Sequence, residues 1–309
     1  MTRAFVFPGQ GAQTIGMGKA LADTYPAARA VFEEVDTALG ERLSALIWDG
    51  DIADLTLTAN AQPALMATSL AALRALEAEG VKVTDCSFVA GHSLGEYSAL
   101  AAAGSLTVSD AARLLRIRGR AMQEAVPVGE GAMAALLGLD FAAASQVAKD
   151  AAQGDICQAA NDNDPAQVVV SGHRQAVERA LELAKAAGAK RAVLLPVSAP
   201  FHCALMQPAA DAMADALASV TLRAPVVPLV ANVRAVAVQD PAEIRALLVA
   251  QVTGAVQWRA SVAWMADQGV TEFWEMGAGK ALSGMIRRIV KGIETRQFGT
   301  PEDVVSLRG

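Results

Sequence analysis

Cysteine, histidine and tyrosine are scarce in this 309-residue chain, at three, three and two residues. Cys86, Cys157 and Cys203 are an odd set without C-x-x-C spacing, which argues against a disulfide framework and against a thiolate zinc site. No metal is expected. Long apolar runs are missing as well. Nothing approaches the roughly 18 residues of a membrane span, and the four apolar residues before Pro8 in MTRAFVFPGQG are too few for a signal-peptide core. Basic residues do not dominate: 26 stand against 32 acidic ones, for a net charge of -6. That balance speaks against a whole-surface nucleic-acid footprint. The expectation is a soluble cytoplasmic protein with neither membrane nor nucleic acid as partner.

What is present is mostly apolar. A hydrophobic share of 53% against 19% charged residues lets a chain of this length bury one large core or two. AFVF (4–7) and SFVA (87–90) read as short buried strands, the first stopped by Pro8-Gly9. PALMATSLAALRALEAEG (63–80) and YSALAAAG (97–104) read as helices. Alternation of this kind predicts an α/β fold with a mainly parallel sheet. From about residue 130 the texture changes to strand, helix, strand, strand, helix, strand: GAMAALLGL, FAAASQVAKDAAQG, ICQAAN, QVVVSG, RQAVERALELAKAAG and RAVLLPVS. This βαββαβ order is the ferredoxin-like unit. The expected organisation is a small subdomain over 130–198 inserted into a larger α/β domain made of 1–129 and 199–309.

FVAGHSLGEY (88–97) carries a G-x-S-x-G pattern at Gly91, Ser93 and Gly95, with a strand before it and a helix after it. A nucleophile elbow needs that context, because the sharp strand-to-helix turn projects the serine hydroxyl out of the fold. The helix start near Leu94 aims free N–H groups at any anion formed beside Ser93. The other reading is a glycine-bounded turn with an N-capping serine. A reacting serine needs a base. His92 adjoins Ser93, where neighbouring side chains diverge, and His173 falls at a helix start in the small unit. Elimination favours His202, in PVSAPFHCALM, against a histidine satisfied in the core. The loop FPGQGAQTIGMG fails G-x-G-x-x-G at Thr14, and GAGKAL fails the P-loop pattern. A small-residue loop after the first strand can instead offer a second oxyanion donor, the backbone N–H of Gln10.

In SDAARLLRIRGRAMQEAV, Arg118 shares a helical face with Ala111, Leu114, Leu115 and Met122, whereas Arg116 and Arg120 point elsewhere. A guanidinium on an apolar face needs an anion. Glu96 or Glu124 could supply it from within, and a substrate carboxylate could supply it from outside.

FPGQGAQ, GHSLGEYSAL, RGRAMQEAVP, GAMAALLGL, QVVVSGH, FHCALM, VQW and EMGAGKAL, in this order, resemble the malonyl-CoA:acyl-carrier-protein transacylases over nearly the whole chain. The resemblance implies a hydrolase-like α/β core with an inserted ferredoxin-like subdomain. It implies Ser93 as the malonyl-accepting nucleophile, His202 as its base, and Gln10 and Leu94 as oxyanion donors. Arg118 would hold the malonyl carboxylate, and the Gln251 backbone carbonyl would orient His202. Phe201, just before the histidine, would accompany an unbranched malonyl group. The implied partners are malonyl-CoA, coenzyme A and the phosphopantetheine arm of acyl carrier protein, in fatty-acid synthesis, with no cofactor. A carrier that is itself acidic would need a local basic patch; Arg287, Arg288 and Lys291, or Lys190 and Arg191, are the candidates. A monomer is the working expectation. A hydrolase of carboxylated thioesters and a silent carrier-binding scaffold are the competing readings.

Overall fold

The computed structural model describes residues 2–197 and 199–308, the side chain of Arg308 excepted. Ten strands form two sheets. The larger contains β1 (Arg3–Phe7), β2 (Phe88–Gly91), β7 (Leu229–Val230), β8 (Ala237–Val238), β9 (Glu272–Met276) and β10 (Glu294–Phe298) in the order β10-β9-β1-β2-β7-β8. All neighbours run parallel except β8, which is antiparallel to β7. Strands of such a sheet are apolar on both faces when helices cover both. In β1, Phe5 and Phe7 enter one hydrophobic core while Ala4 and Val6 enter the core on the other side. That two-sided burial is why AFVF reads as a continuous apolar run.

Helix Thr58–Ala78 begins five residues before the expected start and carries Pro63 inside it. Sixteen of the nineteen residues from Thr58 to Leu76 are buried, which is why its sequence lacks a polar face. Helix Gly95–Ala102 likewise starts two residues earlier than YSALAAAG suggests.

The smaller sheet holds β3 (Gly131–Leu137), β4 (Cys157–Asp164), β5 (Gln167–His173) and β6 (Arg191–Leu194), ordered β4-β5-β3-β6 and antiparallel throughout. Helices Phe141–Ala152 and Arg174–Ala186 complete the βαββαβ order. One face of this sheet packs on those helices around Ala134, Leu136, Val168 and Val170. The other presents Met133, Ala135, Ala160 and Val169 beside Phe201.

Strand β4 runs to Asp164, three residues beyond the expected end at Asn161. Asn and Asp are depleted from strands, yet Asn161, Asp162, Asn163 and Asp164 are all buried. Their partners explain it. Asp162 pairs with Arg259 at 2.9 Å and Asp164 with Arg288 at 2.7 Å, while Asn163 Oδ1 lies 2.8 Å from Nε2 of His92. Main-chain bonds from Asp162 N–H to Val256 O and from Val256 N–H to Ala160 O close the seam. Every one of these contacts joins the small sheet to the large unit.

Candidate active site

Three parallel strands deliver their carboxyl ends to one cleft, where an open α/β sheet gathers its ligands. Pro8 to Gln13 follow β1, His92 to Leu94 follow β2, and Ala281 and Leu282 follow β9. The apolar face of the small sheet forms the opposite wall with Met133, Val169, Leu195, Val197 and Phe201, enclosing a cavity of about 530 Å³.

The turn at Ser93 is as tight as its pattern requires. A Cβ added to Gly91 would stand 1.9 Å from the Gly95 carbonyl carbon, and one added to Gly95 would stand 2.2 Å from the Phe7 carbonyl oxygen. Only hydrogen fits at either place. Between them Ser93 takes a left-handed backbone, φ 54°. Its N–H donates to Asn232 Oδ1 at 2.8 Å, and Asn232 Nδ2 donates to Gly91 O at 2.6 Å. One asparagine thus clamps both sides of the turn.

Ser93 Oγ lies 2.8 Å from His202 Nε2, and His202 Nδ1 lies 2.9 Å from the backbone oxygen of Gln251. A carbonyl can only accept, so the proton sits on Nδ1 and leaves Nε2 free to accept from the serine. His202 is buried, with φ 58°. Burial first, and the charge of Arg118 second, depress its pKa from 6.5 to about 3. The imidazole is therefore neutral at physiological pH. A hydroxyl so placed can lose its proton to the ring and take an acyl group.

Arg118 is 1% exposed. Its Nη1 donates to Gln62 Oε1 at 2.8 Å; its Nη2 donates to Gln251 Oε1 at 2.8 Å and to Ser93 Oγ at 3.2 Å. Among the described residues no carboxylate lies within the 4.0 Å of an ion pair, and buried Nε has no acceptor. Glu96 and Glu124 are thus not its direct partners. Arg116 points elsewhere, as its spacing implies, and is buried there with Glu41 and Asn60 as partners.

Leu94 and Gln10 both border the cleft, and among the described residues neither backbone N–H meets an acceptor. The Gln10 side chain is turned aside, its Nε2 donating to Thr58 Oγ1 at 3.2 Å. Phe201 lines the same cavity. His92 is occupied by Asn163 and packs against Trp258, and His173 accepts the N–H of Ile156, so neither reaches the serine. Burial pushes the thiols of Cys86 and Cys157 up to about 12 and that of Cys203 upward, which removes cysteine as a rival nucleophile. Among the described residues no group of three or more His, Cys, Asp or Glu is placed to hold a metal ion, and no helix is long and apolar enough to cross a membrane.

Gln62 and Asn232 escape the sequence as members of this site, whereas Glu96, named there as an internal anion for Arg118, stands one amide away from it. Gln62 had a signal, being the last polar residue before the apolar run PALMA. Asn232 had a weaker one, following the strand PLV. Of the basic runs, Arg288 is committed to Asp164 and Arg287 donates to Thr295 Oγ1 at 2.5 Å.

A serine, a histidine and a backbone carbonyl in line, at the head of a parallel sheet, mark an α/β enzyme of the acyl-transferring class. The chain belongs to the acyl transferase family, whose domain model matches residues 4–295. Malonyl CoA-acyl carrier protein transacylase of Escherichia coli (strain K12) is 48% identical over 298 residues, 96% of each chain. The crystal structure of acyl-carrier-protein S-malonyltransferase from Bartonella henselae is 56% identical, with a TM-score of 0.97 over 100% of this chain and 99% of that one. A third structure holds a holo type II PKS acyl-carrier protein in complex with its malonyl-transacylase. That transacylase is 42% identical, with a TM-score of 0.96 over 99% of this chain and 98% of its own.

Proposed function

We propose that this chain moves a malonyl group from malonyl-CoA to the phosphopantetheine thiol of acyl carrier protein, in fatty-acid synthesis, by way of an ester on Ser93. Ser93 Oγ attacks the thioester carbon while His202 Nε2 takes its proton. The tetrahedral oxyanion is received by the N–H groups of Gln10 and Leu94, which meet no other acceptor among the described residues. The C–S bond then breaks, and His202 returns the proton to the departing coenzyme A sulfur. The carrier's thiol enters by the same steps in reverse and leaves Ser93 free. The steps use side chains and main chain of this chain alone.

One observation carries the assignment of substrate. A buried guanidinium without an ion-pair partner stands 3.2 Å from the nucleophilic oxygen. The free charge is what a short acyl chain ending in a carboxylate would satisfy, and the bidentate fork of arginine suits that group. Phe201 lines the same cavity, and in this reading its bulk favours an unbranched chain. In this reading, 1–129 and 199–309 form the acyltransferase body, and 130–198 form an inserted subdomain that supplies the cleft's second wall. The chain works as a monomer in the cytoplasm.

Intact-mass measurement after brief exposure to malonyl-CoA tests the reading. A single malonyl adduct is expected, absent in Ser93→Ala and cleared onto phosphopantetheinylated carrier. An adduct lost at the same rate to water would make the protein a hydrolase. No adduct at all would leave a binding scaffold.

A further inference from the structure

Beneath Ser93 lies a buried polar chain that the reaction just described does not use. Glu96, in the first turn of helix Gly95–Ala102, is 1% exposed. Its Oε1 accepts the main-chain N–H of Asn232 at 3.0 Å, and its Oε2 accepts Nε2 of Gln251. The same Nε2 donates to the Ser93 carbonyl oxygen at 2.9 Å. At the other end of that amide, Oε1 accepts from Arg118. A primary amide has donors on one atom and acceptors on the other, so whatever faces its nitrogen decides where its oxygen points. Three acceptors face the nitrogen of Gln251: the Glu96 carboxylate, the Ser93 carbonyl and, at 3.4 Å, Asn232 Oδ1. The oxygen is thereby committed to the guanidinium.

We propose that Glu96 is a positioning residue and the indirect counter-ion of Arg118, acting through the Gln251 amide to hold the guanidinium ready for an acyl carboxylate. The arrangement resolves a conflict. A buried cation needs negative potential nearby, yet a carboxylate bonded directly to it would occupy the donors that a substrate must use. With the charge set one amide away, Arg118 receives a neutral oxygen on one side; burial pushes the Glu96 carboxyl up to about 7, and above that pH its field reaches the guanidinium without an ion pair. Glutamine at position 96 would present an N–H₂ group either to Gln251 Nε2 or to the Asn232 N–H. The first choice sets donor against donor and invites the Gln251 amide to turn over, which would aim its own N–H₂ group at the guanidinium.

This inference rests on the reading of Arg118 as the carboxylate holder, and the test separates the two. Transfer to holo acyl carrier protein is measured with malonyl-CoA and with acetyl-CoA, which lacks the carboxylate, for the full-length protein and two variants. A wild-type protein that does not prefer malonyl-CoA would sink the carboxylate reading itself. Given that preference, Glu96→Gln is expected to lower kcat/KM for malonyl-CoA by about tenfold or more, mainly through KM, and for acetyl-CoA by less than about threefold. Equal losses with both donors, or no loss, would overturn the role of Glu96 and leave Arg118 standing. Gln251→Met keeps the backbone carbonyl at His202 but removes the amide, so it should reproduce the same lopsided loss. It decides the matter if Glu96→Gln fails to fold. Where both fold, the double variant should be no worse than the poorer single one. Losses that multiply would show two independent residues and refute the relay.

Discussion

The neutral imidazole at position 202 follows from two neighbours of different kinds. Desolvation removes the water that would stabilise an imidazolium, and Arg118 adds a like charge nearby, so the ring titrates at about 3 and not at 6.5. At saturating malonyl-CoA, acylation of Ser93 should therefore stay level between about pH 5 and 8, because the base is fully deprotonated across that range. An exposed histidine base would lose about sixteenfold between pH 6.5 and pH 5 at its ordinary pKa. Stopped-flow acylation over this window, with an apparent pKa near 6.5, would contradict the depressed value. The same shift has a sign for stability. A depressed folded-state pKa means that the contribution of His202 is whole above about 6.5 and is lost as pH falls towards 3.

At the scale of elements, the elbow is an interlock between two strand ends and a helix start. Its glycines serve closeness and not left-handed geometry, since the residue with positive φ is Ser93 itself. Gly95→Ala, with its Cβ 2.2 Å from the Phe7 carbonyl oxygen, should cost about 3 kcal/mol in urea unfolding. Gly104→Ala meets no atom within 4 Å and carries only the penalty of φ 73°, about 1 kcal/mol. Equal effects would show that crowding does not hold the turn. The spacing at Gly91, Ser93 and Gly95 made this element legible, because each residue there answers to its own local geometry. Arg118 was legible for a related reason: helical periodicity places it on an apolar face. Which anion satisfies it was not legible, nor were Gln62 and Asn232. Their partners lie 56 and 139 positions away along the chain, and no local rule spans that distance.

For the whole molecule, the two sheets were readable as separate patterns, and the seam between them was not. NDND looks like a loop by composition. It becomes strand because Arg259 and Arg288 arrive from the far end of the chain to meet its carboxylates. Asp162 is 5% exposed, so Arg259→Met leaves a buried charge without its partner and should lower stability by about 2 kcal/mol in urea unfolding. Lys19→Met, which breaks the exposed pair with Asp49, should change it by less than about 0.5 kcal/mol. Similar values for the two would mean that the seam is held by its main-chain bonds alone. The backbone at Ser93 and His202 has a further consequence. Both residues, the reacting pair of the proposed mechanism, sit in the left-handed region, φ 54° and 58°, at a cost on the order of 1 kcal/mol each for a side chain other than glycine. Chemistry and heat resistance thus draw on the same two positions in opposite directions. A population of variants selected only for survival at high temperature would drift towards glycine at position 93, where little buried volume is lost, and would arrive at a sturdier protein that no longer turns over.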